Sequence, residues 1–251
     1  MTHIKTALVV GAGRGSGLAI AKLLAQRCDI LLLTEVEDRY SMLKYEAAGI
    51  VSSGTAKVEC FTLDIRNIYE INSLFAQLEA NGVILNYLVC NAGVNILQKA
   101  IEVTPETWDC VMDVNLRGAF FVMQGAAKSM LLNDGGGMVA IASQHGTVAN
   151  YDRSPYCASK AGLIHMAKSL ALEWSQHKIR VNVVSPTYIL YEENKDLLLS
   201  PKGIREYQNS IPLNQYCRAE DVANAVDFLL SDKAALITGH NLIVDGGYTI
   251  K

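Results

Sequence analysis

Three residues of this chain can share one site: Ser143, then Tyr156 thirteen positions on, then Lys160. Tyr156 and Lys160 are i and i+4, so on a helix they stand one above the other, with the ammonium beside the phenol. Such a pair suits proton transfer to or from the oxygen of a carbinol or carbonyl. A free phenol, with a pKa of about 10, is a poor base at neutral pH, and the Lys160 charge is expected to lower it. Ser143 adds a hydrogen-bond donor for the same oxygen. Asn115 is an amide inside the apolar run Val111-Met112-Asp113-Val114-Asn115-Leu116. It is costly there unless it finds partners, so it is either a structural hydrogen-bonder or a site residue holding a water that relays protons to Lys160. Each of these residues also has a plain reading, as half-buried aromatic, solvated lysine or strand cap, and the surroundings decide.

The elements that must position them alternate. Apolar runs of strand length at 7–10, 30–34, 58–62, 87–90, 138–142, 180–184 and 242–244 are separated by helical patterns at 18–26, 68–81, 105–132, 155–174 and 220–230. Several runs are apolar on both faces, as parallel strands covered on two sides must be. This β-α-β alternation predicts a Rossmann-type α/β fold, a doubly wound parallel sheet with helices on both faces, as a single domain over residues 1–251. Thr104-Pro105 and Ser154-Pro155 read as helix starts, a capping hydroxyl followed by proline at the first helical position. The stretch 187–216 lacks a clear pattern and reads as a segment that covers a substrate, a plain surface excursion being the alternative.

A ligand site precedes the first helix. Val10-Gly11-Ala12-Gly13-Arg14-Gly15-Ser16-Gly17 closes the first strand, and its spacing is Gly-x-x-x-Gly-x-Gly, because Ser16 stands where the last glycine of G-x-G-x-x-G would fall. Glycines let the backbone turn sharply and approach a ligand, while the free N–H groups of a helix start favour a phosphate. Glu35, at the end of the second strand, can accept both ribose hydroxyls of NAD and would repel the 2'-phosphate of NADP. Arg14 or Arg39 could instead receive that phosphate, which keeps NADP as the lesser alternative. Asp64 could meet the adenine edge or simply close a turn. Asn91-Ala92-Gly93 follows the fourth strand where open sheets bind ligands, and its small residues let a ribose lie against the backbone.

Composition narrows the partners. A net charge of -3 over 251 residues, without a long basic run, leaves no electrostatic footprint for nucleic acid or a membrane surface. A small molecule is the expected partner. The six cysteines are scattered without a Cys-x-x-Cys pair, which fits a reduced, cytoplasmic protein better than a disulfide framework or a zinc site. The start Met1-Thr2-His3-Ile4-Lys5 leads into a short apolar run that is neither a secretory segment nor a membrane span.

From residue 7 to residue 247 the chain resembles the short-chain dehydrogenase/reductases. The matching features are Gly11-x-x-x-Gly15-x-Gly17, Asp64, Asn91-Ala92-Gly93, Asn115, Ser143, Tyr156-x-x-x-Lys160, Arg180-Val181-Asn182, Ser185-Pro186 and Val244-Asp245-Gly246-Gly247. The resemblance implies NAD(P)-dependent oxidoreduction with Asn115, Ser143, Tyr156 and Lys160 as the catalytic tetrad. It also implies cofactor contacts from Arg14, Ser16, Ile65, Pro186, Thr187 and Ile189, and a homotetramer or homodimer. Val10 and Cys90 depart from the family pattern, and so do Thr187 and Tyr191, which leaves open how a nicotinamide carboxamide is held. Ser143-Gln144 and the segments at 177–182, 185–187 and 211–213 look like the L-xylulose reductase and sugar or polyol branch, with Gln144 as a substrate contact. Reductases of 3-oxoacyl thioesters and of steroid or cyclic ketones share the framework. A non-catalytic NAD-sensing protein is the alternative of another class.

Overall fold

The computed structural model describes residues 4–53 and 56–251, and the starting residues Met1, Thr2 and His3 lie outside them. Seven strands, β1 (Thr6–Val10), β2 (Ile30–Glu35), β3 (Lys57–Thr62), β4 (Tyr87–Cys90), β5 (Gly136–Ile141), β6 (Ile179–Pro186) and β7 (Asn241–Val244), form one sheet. Its order is β3-β2-β1-β4-β5-β6-β7, with every adjoining pair parallel. The helices are α1 (Gly15–Leu24), α2 (Glu37–Ser53), α3 (Ile68–Ala80), α4 (Pro105–Met112), α5 (Ala119–Met130), α6 (Ser154–Trp174), α7 (Lys195–Leu198), α8 (Pro201–Glu206) and α9 (Ala219–Leu230).

The apolar runs are continuous because the sheet is buried on both faces. Leu8 and Val10 of β1 pack with Leu32 and with Leu74, Val122 and Leu163 from α3, α5 and α6. Their neighbours Ala7 and Val9 point the other way, into Leu31, Leu33, Ile20 of α1, Leu43 of α2 and Val226 of α9. Alternation along the strand thus feeds two cores, and each fully buried leucine contributes roughly 2 kcal/mol.

Three elements differ from the sequence-based expectation. Helix α2 was not anticipated: it buries only the narrow stripe Leu43, Ala47 and Ile50, and its Met42, Tyr45 and Val51 are exposed among polar neighbours. The single helix expected over 105–132 is α4 and α5 joined by a π-helical turn, Asp113–Gly118, that carries Asn115. The segment 187–216 is not structureless, since α7 and α8 lie in it. Leu198, Ile211 and Tyr216 form a third small core there, with Tyr188, Tyr207 and Tyr248 packed against it.

Parallel strands bring their carboxyl ends to one edge. Gly11 follows β1, Glu35 closes β2, Asp64 lies two residues past β3, Asn91 follows β4, Ser143 lies two past β5 and Thr187 follows β6. The chain leaves β1 in one direction for β2 and β3, and in the other for β4 to β7, so a crevice opens at the β1–β4 boundary.

Candidate active site

A cleft of about 770 Å³ runs along that edge, lined by Gly11, Arg14, Gly15, Ser16, Glu35, Asp64, Ile65, Asn91, Ala92, Gly93, Ser143, Tyr156, Lys160, Pro186, Thr187 and Ile189. The sequence singled out all of these. Gly17, Asn115 and Gln144 do not reach the wall.

At one end the glycine turn folds against β4. Gly11 has φ +78, and a Cβ on it would lie 2.9 Å from the Ala92 backbone. Asn91 staples the junction, its Nδ2 donating to the Gly11 carbonyl (2.7 Å) and its Oδ1 accepting from Ser16 Oγ (2.9 Å). Gly17 serves the turn rather than a ligand, because a Cβ there would meet the Gly11 oxygen at 2.0 Å. Glu35 is buried with each carboxylate oxygen fixed: Oε2 accepts from the Gly13 amide and Oε1 from its neighbour Val36, both at 3.1 Å. A carboxylate oxygen accepts more than one hydrogen bond, so both keep capacity facing the cleft. Arg14 holds its guanidinium 3.9 Å from Glu193. The Asp64 carboxylate is occupied by Arg66, whose Nε and Nη2 donate to it at 2.6–3.0 Å and hold it below the usual carboxylate range. Tyr191 lies over Gly15 and hydrogen-bonds Ser16 Oγ (3.3 Å), so its hydroxyl is committed to the glycine turn.

The other end holds the proton-transfer residues. Helix α6 starts at Ser154, with Arg153 rather than Ser154 in the cap position, and it presents Tyr156 and Lys160 to the cleft. Ser143 and Tyr156 both line the cleft here, and Ser143 Oγ accepts from the His145 amide (3.2 Å). Lys160 Nζ sits 5.8 Å from the Tyr156 ring centroid and donates to the Ile141 carbonyl (2.8 Å). The expected lowering of the phenol is not what the chain alone produces. Burial raises Tyr156; the Ser143 hydroxyl and the Arg153 charge pull it back without cancelling that rise. Lys160, dry beneath the cleft, is itself pushed down to about 8 by burial. A Cβ on Gly93 would come within 3.3 Å of both Lys160 Nζ and Asn115 Oδ1, so glycine leaves them room.

Asn115 is a hydrogen-bonder. Its Nδ2 donates to the Val94 carbonyl (2.8 Å) and to Ser159 Oγ (3.0 Å), and its Oδ1 accepts from Val94 N (2.8 Å). Both amide hydrogens are spent, so the side chain locks α6 and the post-β4 loop to the π turn, while its Oδ1 keeps one acceptor position. Gln144 is buried in the turn after Ser143, and its Oε1 lacks a partner. It does not line the cleft, and its Nε2 lies 3.4 Å from His145 Nε2. The sequence reading missed Asn95, Arg66, Cys110 and Glu193, which line the cleft, and Arg153, which caps the catalytic helix. Only Arg66 had a signal, two residues after an aspartate at a strand end. Thr187 Oγ1 is buried in the cleft wall without a partner.

The family model described as enoyl-(acyl carrier protein) reductase matches residues 11–249. The chain is 37% identical over 247 residues to the NAD-dependent glycerol dehydrogenase of Listeria innocua, covering 98% of this chain and 94% of that protein. It is 35% identical over 248 residues to the D-threitol dehydrogenase of Mycolicibacterium smegmatis, with coverage of 98% and 94%. A crystal structure of a short-chain type dehydrogenase/reductase from Mycobacterium marinum superposes with a TM-score of 0.91 at 29% identity, covering 98% of this chain and 96% of that one.

Proposed function

The chain belongs to the short-chain dehydrogenase/reductase family and is an NAD(P)-dependent oxidoreductase acting on CH–OH groups; from that premise we propose that it uses NAD(H) on a sugar or polyol, with Tyr156 as the acid/base. One observation carries the reading. A single cleft joins a buried, backbone-pinned Glu35 to the Ser143–Tyr156–Lys160 group.

The residues fit a nicotinamide dinucleotide. The glycine turn leaves backbone N–H groups at the start of α1 for a diphosphate. Glu35 takes the ribose hydroxyls, and a 2'-phosphate would face its buried carboxylate. The unpartnered Thr187 hydroxyl suits the carboxamide that Tyr191 cannot reach. When bound, the nicotinamide ring accepts or returns a hydride. In the oxidation direction the substrate's O–H proton would pass to the Tyr156 phenolate oxygen as the carbinol carbon gives up its hydride and a C=O bond forms. Ser143 holds the substrate oxygen by a hydrogen bond. Lys160 supplies the positive charge that favours the Tyr156 phenolate against the burial that raises it. The sugar or polyol preference is supported by the glycerol and threitol relatives. The acyl-carrier description of the family model supports a 3-oxoacyl-thioester reductase as the second reading. We place the protein in the cytoplasm on its free cysteines, and as a homo-oligomer on its family.

Initial rates at the NADH absorbance, with polyols, sugars, cyclic alcohols and oxoacyl thioesters, test this. Polyols are expected to be oxidised with NAD, and Tyr156→Phe to lower kcat by about 10³-fold or more while NAD still binds. An active Tyr156→Phe protein would remove the assigned base, and turnover confined to the thioesters would select the second reading.

A further inference from the structure

The segment after β6 is pinned where it crosses the cleft. Ile189 bridges Cys217, the Leu190 amide donates to the Cys217 carbonyl (2.9 Å), and the Cys217 amide donates to the Tyr188 carbonyl (3.0 Å). Asn194 closes the next turn, its Oδ1 accepting from the Tyr191 amide (2.8 Å) and its Nδ2 donating to the Ile189 carbonyl (2.9 Å). Held on both sides, Tyr191 lays its ring over Gly15, where an added Cβ would meet Cε1 at 2.8 Å and Cζ at 2.9 Å. Because Cζ carries the hydroxyl, the phenol oxygen comes down at the start of α1.

That hydroxyl is only weakly bonded by the chain. It donates to Ser16 Oγ at 3.3 Å, longer than the roughly 2.7–2.8 Å usual for an O–H···O bond. Ser16 gives its own hydrogen to Asn91 Oδ1 (2.9 Å) and can only accept from Tyr191. Burial raises the Tyr191 phenol, so it stays protonated and remains a donor at neutral pH. A charged oxygen accepts such a hydrogen bond about twice as strongly as a neutral one.

The place suits an anion. Arg14, in the cap position of α1, makes no side-chain bond to the first turn, and the Leu18 amide is the first to donate back along the helix, to the Arg14 carbonyl (3.1 Å). The amides of Gly15, Ser16 and Gly17 precede that ladder and carry the positive end of the helix dipole, close to the Tyr191 hydroxyl. A second link between this segment and the glycine turn is weak: Arg14 and Glu193 are 3.9 Å apart with half-exposed side chains, a pair that solvent screens. Tyr191 is therefore the residue through which the segment acts on the turn.

We propose that Tyr191 is a diphosphate-binding residue of the dinucleotide site, its hydroxyl turning from Ser16 to a diphosphate oxygen while its ring shields the first turn of α1 from water. The inference rests on the dinucleotide reading above and holds for NAD and NADP alike, since both carry the diphosphate. It ties the segment after β6 to the middle of the cofactor and leaves the carboxamide to Thr187.

Tyr191→Phe tests this, because it keeps the ring over Gly15 and removes only the hydroxyl. Isothermal calorimetry measures the binding of NADH, ADP-ribose and adenosine to the parent protein and to the variant without any turnover. ADP-ribose carries the diphosphate without the nicotinamide, and adenosine carries neither. The dissociation constant is expected to rise about tenfold for NADH and for ADP-ribose and to stay within about twofold for adenosine. Tyr191→Leu, which loses the ring as well, is expected to weaken NADH and ADP-ribose further and again to spare adenosine. A loss confined to NADH would assign the hydroxyl to the carboxamide, and an equal loss with adenosine would make Tyr191 a prop for the fold of the turn. Either result overturns the inference, as does unchanged binding of all three ligands, while NADH binding by the parent protein leaves the dinucleotide reading standing. A parent protein that binds neither NADH nor NADPH overturns that reading and the inference with it.

Discussion

Lys160 shows what the site costs at the scale of one residue. Its ammonium is buried on the Ile141 carbonyl, and dehydration lowers it from 10.5 to about 8, an effect the nearby Cys90 opposes only in part. Below pH 8 the lysine is charged in the folded and the unfolded chain alike, and the folded state carries the full cost of burying that charge. Between about 8 and 10.5 the folded chain has released its proton while the unfolded chain still binds one, so stability rises with pH across that window. Lys160→Met keeps the length and removes the charge. It is expected to be more stable than the parent at pH 7, by about 1–4 kcal/mol on the scale seen when buried charges are replaced by apolar groups. Denaturant unfolding at pH 7 and at pH 9.5 checks the sign: the gap should shrink at the higher pH, and a constant gap would show that the lysine is not dehydrated. The trade is stability for chemistry, since the same variant loses the positive charge beside Tyr156.

Among the elements, the proposed choice of NAD over NADP turns on the coupling of the glycine turn to the end of β2. Gly13 is not held in the left-handed region, so its backbone tolerates a side chain; what excludes one is Glu35, whose Oε2 would lie 2.8 Å from an added Cβ. The Gly13 amide also donates to that oxygen. Gly13→Ala is therefore expected to swing the carboxylate away and to narrow the NAD over NADP preference by about tenfold, ~1.4 kcal/mol, as Glu35→Ala should. Measured as kcat/KM ratios, the double variant should be no worse than either single one, because both act through one carboxylate. Additive losses would mean that the new methyl meets the cofactor itself. Glu35 was legible in the sequence because it closes an apolar run that must be a buried parallel strand, and Tyr156 and Lys160 because i and i+4 fixes a common face. Gly13 as its positioning partner was not, since no local pattern says which amide meets which strand end. Helix α2 was missed because its stripe of Leu43, Ala47 and Ile50 is too narrow to stand out from polar neighbours. The burial of Gln144 and of Arg153 was not legible for one reason. A polar residue in a turn or ahead of a helix reads as solvated, and its burial is decided by chains that arrive from distant positions, such as Tyr188 beside Arg153.

For the molecule as a whole, the cleft is built from three groups carried by different strands of the sheet and joined over its edge by the Tyr191–Ser16 hydrogen bond. Glu35 and the glycine turn belong to β1 and β2, whereas Ser143, Tyr156 and Lys160 follow β5, and Pro186, Thr187, Ile189 and Tyr191 come over the edge after β6. A dinucleotide lying across the β1–β4 boundary touches all three groups, and a ligand that binds only the folded chain stabilises it by mass action. At a hundred times its dissociation constant the gain is about 2.7 kcal/mol. In a chain of this size each kcal/mol raises the midpoint of thermal unfolding by roughly 2–4 °C, so NAD is expected to raise it by roughly 5–10 °C, with the shift growing as the logarithm of concentration. NADP at equal concentration should shift it less, because its 2'-phosphate must displace or face a carboxylate already pinned by two backbone amides. Differential scanning calorimetry with each cofactor over a concentration series measures both curves without any substrate. Superimposed curves would mean that Glu35 does not face the ribose and would overturn the proposed preference for NAD.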